Sequence, residues 1–145
     1  MDNLAGRYDL ERFVTAQAPV IEQVLQELRN GRKRSHWMWF VFPQLAGLGS
    51  SATARHYAIS GKAEAAAYLA HPVLGPRLLE CTRLVNMVQG RSAFDIFSSP
   101  DDLKFRSSMT LFYAAAPEVP EYGEALAKYF GNQGDPLTIE KLSVR

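Results

Sequence analysis

Apolar positions recur at helical spacing along most of the chain. Leu74, Leu78, Cys81, Val85 and Val88 stand at i, i+4, i+7, i+11 and i+14. A turn takes 3.6 residues, so these side chains share one face of a long core helix, which Gly90 ends. Ile21, Val24, Leu25 and Leu28 repeat the stripe after Pro19, a residue suited to a first helical position, and Asn30-Gly31 is a stop signal. Leu10, Phe13 and Val14 make a shorter stripe, with Asp9 as the candidate cap. Ser51 is placed to cap a short helix carrying Ala54 and Tyr57. Ser60 or Gly61 opens an alanine-rich run to Leu69 that His71-Pro72 breaks, and Ser92 can cap one turn reaching Phe97. Ser99-Pro100-Asp101-Asp102 reads as the strongest helix start. Serine caps, proline takes the first position, and two carboxylates meet the positive end of the helix dipole. That helix is expected to run to Ala116, before Pro117. Pro120 opens the next, with Tyr122, Ala125, Leu126 and Tyr129 inward and Gly131 behind it, and Asp135-Pro136 opens a last turn.

Residues 31–51 break the pattern. Arg32, Lys33 and Arg34 lead into His36-Trp37-Met38-Trp39-Phe40-Val41-Phe42-Pro43-Gln44, and Gly47-Leu48-Gly49-Ser50-Ser51 follows. The aromatic run has strand propensity but no period, and no second strong strand is present to pair with it. A short buried helix is therefore expected. The predicted fold is all-α: one compact multihelical domain over residues 1–145, with buried central helices and at most trivial strand content.

Length and charge narrow the classes of function. A chain of 145 residues builds a sizeable core without staples. Sixteen basic residues against 15 acidic give a net charge of +1. No whole-molecule field then draws nucleic acid or an anionic membrane, and neither partner is expected. Cys81 is the only cysteine, which rules out an internal disulfide or a thiolate metal cage. His36, His56 and His71 are scattered, and no metal or cofactor is expected. The opening segment has no apolar core of the kind a secretory signal needs, and the run Trp37 to Pro43 is far too short to span a bilayer. Cytoplasm is the expected compartment.

Phosphate loops, nucleophile elbows, zincin helices and calcium loops are all missing from the sequence. Two stretches still merit a chemical reading. In Arg32 to Gln44, a basic cluster beside aromatics has the make-up of a stacking platform with phosphate contacts. Large aromatics are usually buried, so Trp37 and Trp39 are expected to be mainly core and the basic cluster a solvated turn. His36, Trp37 and Gln44 carry polar atoms that need partners. In the helix after Ser99, Asp101, Lys104 and Ser108 line up with the apolar Leu111 and Ala115, and Ser107 lies at i+3 from Lys104. A polar stripe that turns apolar within two turns is entering the core. Lys104 must there reach water or a carboxylate, and Asp95 and Asp101 are the nearest in sequence. The plainer readings are an exposed Asp101–Lys104 pair, serines filling tight helix contacts, and Asp95 capping a turn.

These stretches also carry a family likeness. Arg34 to Gln44, Gly47 to Ser51, Tyr68-Leu69-Ala70-His71-Pro72-Val73-Leu74-Gly75 and Asp101 to Phe112 closely resemble the signature of a bacterial family of unknown function, number 1810 in the domain-family series. The likeness runs from about Asp9 to Leu142. It implies a compact multihelical fold with buried central helices, and no established activity, substrate or cofactor. Members are often labelled calpastatin. An inhibitor of that kind is a flexible repetitive chain, and this sequence has no repeat.

Three kinds of function are open at this level. One is a small enzyme or binding domain for a polar or phosphate-bearing metabolite, in a pocket formed by His36, Trp37, Gln44, Asp95, Lys104, Ser107 and Ser108. The second is a non-catalytic interaction module whose protein partner the sequence does not specify. The third, a nucleic-acid binder using Arg32, Lys33 and Arg34, is disfavoured by the near-neutral charge. Burial separates the first two: convergence of the polar residues in a concave site favours a ligand.

Overall fold

A computed structural model of the chain describes residues 8–143. The sequence reading of the opening segment falls largely outside that range. Ten helices form among the described residues: α1 Glu11–Gln17, α2 Ile21–Arg29, α3 Met38–Val41, α4 Ala52–His56, α5 Lys62–Ala70, α6 Leu74–Met87, α7 Ala93–Phe97, α8 Asp101–Ala115, α9 Pro120–Phe130 and α10 Pro136–Ser143. Among the described residues, extended pairing is limited to one parallel bridge, Leu45 to Ile59. The all-α expectation therefore holds, and the aromatic run forms the short helix α3. None of the described helices is long and apolar enough to cross a membrane.

The long helices α6 and α8 form the centre. Helices α5 and α9 each pack on both, α2 packs on α6, and α7 and α10 pack on α8. The periodic stripe explains α6: Leu74, Leu78, Cys81 and Val85 are at most 1 % exposed. Burial also pushes the Cys81 thiol up to about 12, so it is inert as a nucleophile at neutral pH. Residues Ser107 to Phe112 of α8 are buried without interruption, although three of the six are hydroxyl residues. Ser107 and Thr110 donate back to the carbonyls of Leu103 and Arg106, which satisfies both hydroxyls within the helix. The α5–α6 corner is closed by Gly75, whose missing side chain lets the Leu69 carbonyl approach: a Cβ there would lie 2.1 Å from that oxygen.

Several predicted boundaries hold. Ser51 caps α4 through the Ala54 N–H, and Ser92 caps α7. Gly31 follows α2 at φ +69°, where a side chain would be strained. Other starts differ. Asp9 does not cap α1, where Leu10 holds that place and no side chain bonds the first turn. Pro19 lies in the turn between α1 and α2 rather than at a first helical position. Ser99 does not cap α8. The backbone turns earlier, at Ser98, and the carbonyl of Ser98 receives the Asp102 N–H while that of Pro100 receives the Lys104 N–H. The two expected carboxylates, Asp101 and Asp102, do occupy the first turn.

Candidate functional site

The site is built on a buried carboxylate that the sequence reading did not single out. Glu27, near the end of α2, is 6 % exposed. The loop after Gly31 folds over it. Glu27 Oε1 accepts the N–H groups of Arg34 at 2.9 Å and Ser35 at 3.2 Å, together with the Trp37 indole N–H at 2.9 Å. Its Oε2 accepts the Ser35 hydroxyl at 2.7 Å and the Gln23 amide at 3.0 Å. Burial by itself would raise this carboxyl. The donors, led by the Arg34 N–H, outweigh it and hold the group at about 2. An acid on the polar face of a stripe helix is ordinarily solvated, so nothing local marked Glu27 as the anchor of the loop.

Anchoring residues 33–37 sets out the first cleft. The Lys33 N–H donates to the Ile96 carbonyl at 2.7 Å, tying the loop to α7. Its side chain is 7 % exposed, with the ammonium 2.8 Å from Asp101 and 5.1 Å from the centre of the Trp37 ring. Of the basic cluster, Arg32 and Arg34 are exposed as expected, and Lys33 alone is not freely solvated. Lys33 is drawn inward because a carboxylate and an indole face compensate its charge. On the facing helix, Lys104 lies 3.7 Å from the other oxygen of Asp101 and 5.0 Å from the centre of the Trp39 ring. Between loop and helix lies a cavity of about 420 Å³. Lys33, Arg34 and Lys104 line it against the single carboxylate Asp101, with His36 at its border.

A second cavity of about 420 Å³ continues on the far side of Trp39. Trp39, Pro100 and Lys104 belong to both. Beside Lys104, its polar groups come from Gln44, Ser50, Ser51, Ser107 and Asp135, and its apolar walls from Leu48, Leu103 and Leu137. The Gln44 carboxamide makes no hydrogen bond among the described residues. Asp135 Oδ2 accepts from the Thr138 N–H and hydroxyl at the start of α10, while its other oxygen takes no such bond.

The seven candidate residues divide. Lys104 lines both cavities, His36 lines the first, and Gln44 and Ser107 line the second. Trp37 does not reach them: it is 1 % exposed and serves Glu27 from below. Ser108 is fully buried, with an Oγ that finds no partner among the described residues. Asp95 is exposed and lines neither cavity. It forms a capping box with Ser92, whose N–H and hydroxyl hold the carboxyl below its usual range. The partner of Lys104 is Asp101. Trp39, expected in the core, is instead partly exposed at the ridge between the cavities, because α3 is a single turn that buries Met38 and Val41.

Ser35 is the one lining hydroxyl bonded to a carboxylate, but Glu27 is held too acidic to act as a base at neutral pH. No group of three His, Cys, Asp or Glu side chains among the described residues is arranged to hold a metal ion.

Comparison with known proteins places the chain. None of the curated proteins is similar to it. The crystal structure of the conserved hypothetical protein Rv1873 from Mycobacterium tuberculosis superposes with a TM-score of 0.94 at 59 % identity, covering 96 % of this chain and 99 % of that one. The model for a protein family of unknown function, DUF1810, matches residues 7–142, and the chain is a member of that family.

Proposed function

We propose that the protein binds a small anionic, phosphate-bearing metabolite in the cleft between the Lys33–Trp39 loop and the start of α8. One observation carries this reading. In a chain of net charge +1, three cationic side chains and one carboxylate line a single concavity. Asp101 is shared by Lys33 at 2.8 Å and Lys104 at 3.7 Å, so one negative charge answers two ammoniums and the lining keeps a positive excess, Arg34 included, to meet an incoming anion. Lys104 is held in place by the Trp39 face and needs little ordering to bind, which favours affinity. A metabolite of this kind fits work in the cytoplasm.

The test is a thermal-shift titration with inorganic phosphate, pyrophosphate and sulfate, for the natural protein and for Lys104→Met and Arg34→Met. A ligand at a hundred times its dissociation constant adds about 2.7 kcal/mol of stability. The natural protein should show a saturable shift that both variants lose, with their far-UV circular dichroism unchanged. A flat response to all three anions, or an undiminished one in Lys104→Met, defeats the reading.

A further inference from the structure

The second cavity narrows the class of metabolite. The geometry points to a nucleoside monophosphate as the ligand, with its phosphate among Lys33, Arg34 and Lys104 and its base in the cavity beyond Trp39. This rests on the anion reading of the first cleft and adds what the second one recognises.

In the second cavity the broad surfaces are apolar: Trp39 on one side, Leu103 and Leu137 among the others. Among its hydrogen-bonding groups the Ser51 and Ser107 hydroxyls are bonded to backbone, and two others have unused capacity. The Gln44 carboxamide offers a donor and an acceptor, and Asp135 keeps one carboxylate oxygen for a donor. A flat heteroaromatic ring has the matching anatomy: two apolar faces and an edge of mixed donors and acceptors. A free sugar does not, since its hydroxyls radiate all round the ring and would strand several against leucine. An aliphatic acid would leave Gln44 and Asp135 unanswered. Indole is also the side chain best suited to stacking on a base.

Charge and continuity supply the rest. Lys33 and Arg34 line only the first cavity, whereas beyond Lys104, which borders both, the second holds a carboxylate, an amide and neutral hydroxyls. The ligand they describe is negative at one end and neutral at the other. Trp39, Pro100 and Lys104 line both cavities, so the two adjoin across the Trp39 ridge and one ligand would have to cross it, and each volume of about 420 Å³ falls within the usual size of small-molecule sites. Lys104 stands at the junction, where the phosphate of such a ligand would join its sugar. A dinucleotide or a polymer needs an open groove lined with cations beyond this point, and the second cavity holds Asp135 there instead.

Calorimetric titration separates the two claims. The probes are inorganic phosphate, the four common ribonucleoside monophosphates and their nucleosides, against the natural protein, Gln44→Leu, Trp39→Leu and Lys104→Met. At least one nucleoside monophosphate should bind about tenfold or more tightly than inorganic phosphate, the gain of one base stacked on an aromatic ring. Gln44→Leu and Trp39→Leu should erase that advantage, and Gln44→Leu should leave phosphate binding unchanged. Lys104→Met should weaken phosphate and nucleotide alike. Trp37 is sealed in the core, so quenching of tryptophan fluorescence by the nucleotide should vanish in Trp39→Leu. Phosphate binding with no nucleotide advantage overturns the nucleotide assignment and leaves the anion site standing. An advantage that survives both Gln44→Leu and Trp39→Leu overturns it as well, because the base then lies elsewhere. Binding of neither phosphate nor nucleotide removes the site altogether.

Discussion

Glu27→Gln is the sharpest test of how the site is held together. The carboxylate gathers five donors from Gln23, Arg34, Ser35 and Trp37. It is held at about 2 in the folded protein, against about 4.3 in an unfolded chain. That difference of roughly two units corresponds to about 3 kcal/mol of stability. The sign follows from the depressed value. The contribution is fully present above the unfolded pKa and is lost as pH falls through about 4.3 towards the folded value, with about half gone by pH 3. A glutamine keeps one acceptor oxygen for Arg34, Ser35 and Trp37 but turns an amide towards the Ser35 hydroxyl and Gln23, and it gives up the charge. It therefore imitates the protonated acid. Urea denaturation of both proteins at pH 7 should show Glu27→Gln less stable by about 3 kcal/mol, and the gap should narrow steadily between pH 5 and pH 3. Other carboxylates titrate in both proteins and cancel in the difference. A gap below about 1 kcal/mol at pH 7, or one constant down to pH 3, would refute the account of Glu27 as the anchor of the loop.

The two tryptophans should part company. Trp37→Ala should cost about 3–5 kcal/mol by denaturant melting, and Trp39→Ala less than about 2, because only Trp37 is sealed in the core. Equal losses would refute the exposed ridge. Gly75→Ala should lower stability by about 3 kcal/mol, since its Cβ meets the Leu69 carbonyl and the α5–α6 corner must shift. Ser108→Ala should raise stability by about 1 kcal/mol by removing a buried hydroxyl with no partner. A loss of stability there would reveal a partner for the hydroxyl.

The helical frame was legible because periodic burial writes itself along a sequence. Leu74, Leu78, Cys81 and Val85 share a face by arithmetic, and the structure buries that face. The interior of α8 was harder. Its Ser107–Phe112 segment is buried on every face and so shows no polar side there, and hydroxyls that bond their own backbone look polar in sequence while behaving as core. Helix starts were legible where a side chain made the cap, as at Ser51 and Ser92. At Asp101 and Pro120 proline marked the start, but the cap at Asp101 was misread, because backbone rather than the Ser99 side chain closes that turn.

The site was half legible for a related reason. Its pieces are separated by some 70 residues, and what joins them is compensation of buried charge. Periodicity carries no signal of that. Lys104 could be singled out because its stripe runs inward, and a lysine entering a core must find a carboxylate. The same logic applied to Lys33 would have needed the fold, since its partner Asp101 and its indole Trp37 come from different elements. Asp101 is the hinge of the arrangement. One oxygen meets a lysine from the loop, the other a lysine from its own helix. A single carboxylate thus orders two cations without neutralising both. The charge left over faces the cleft, so the ion pair that helps fasten the loop to α8 also leaves a positive site open to solvent.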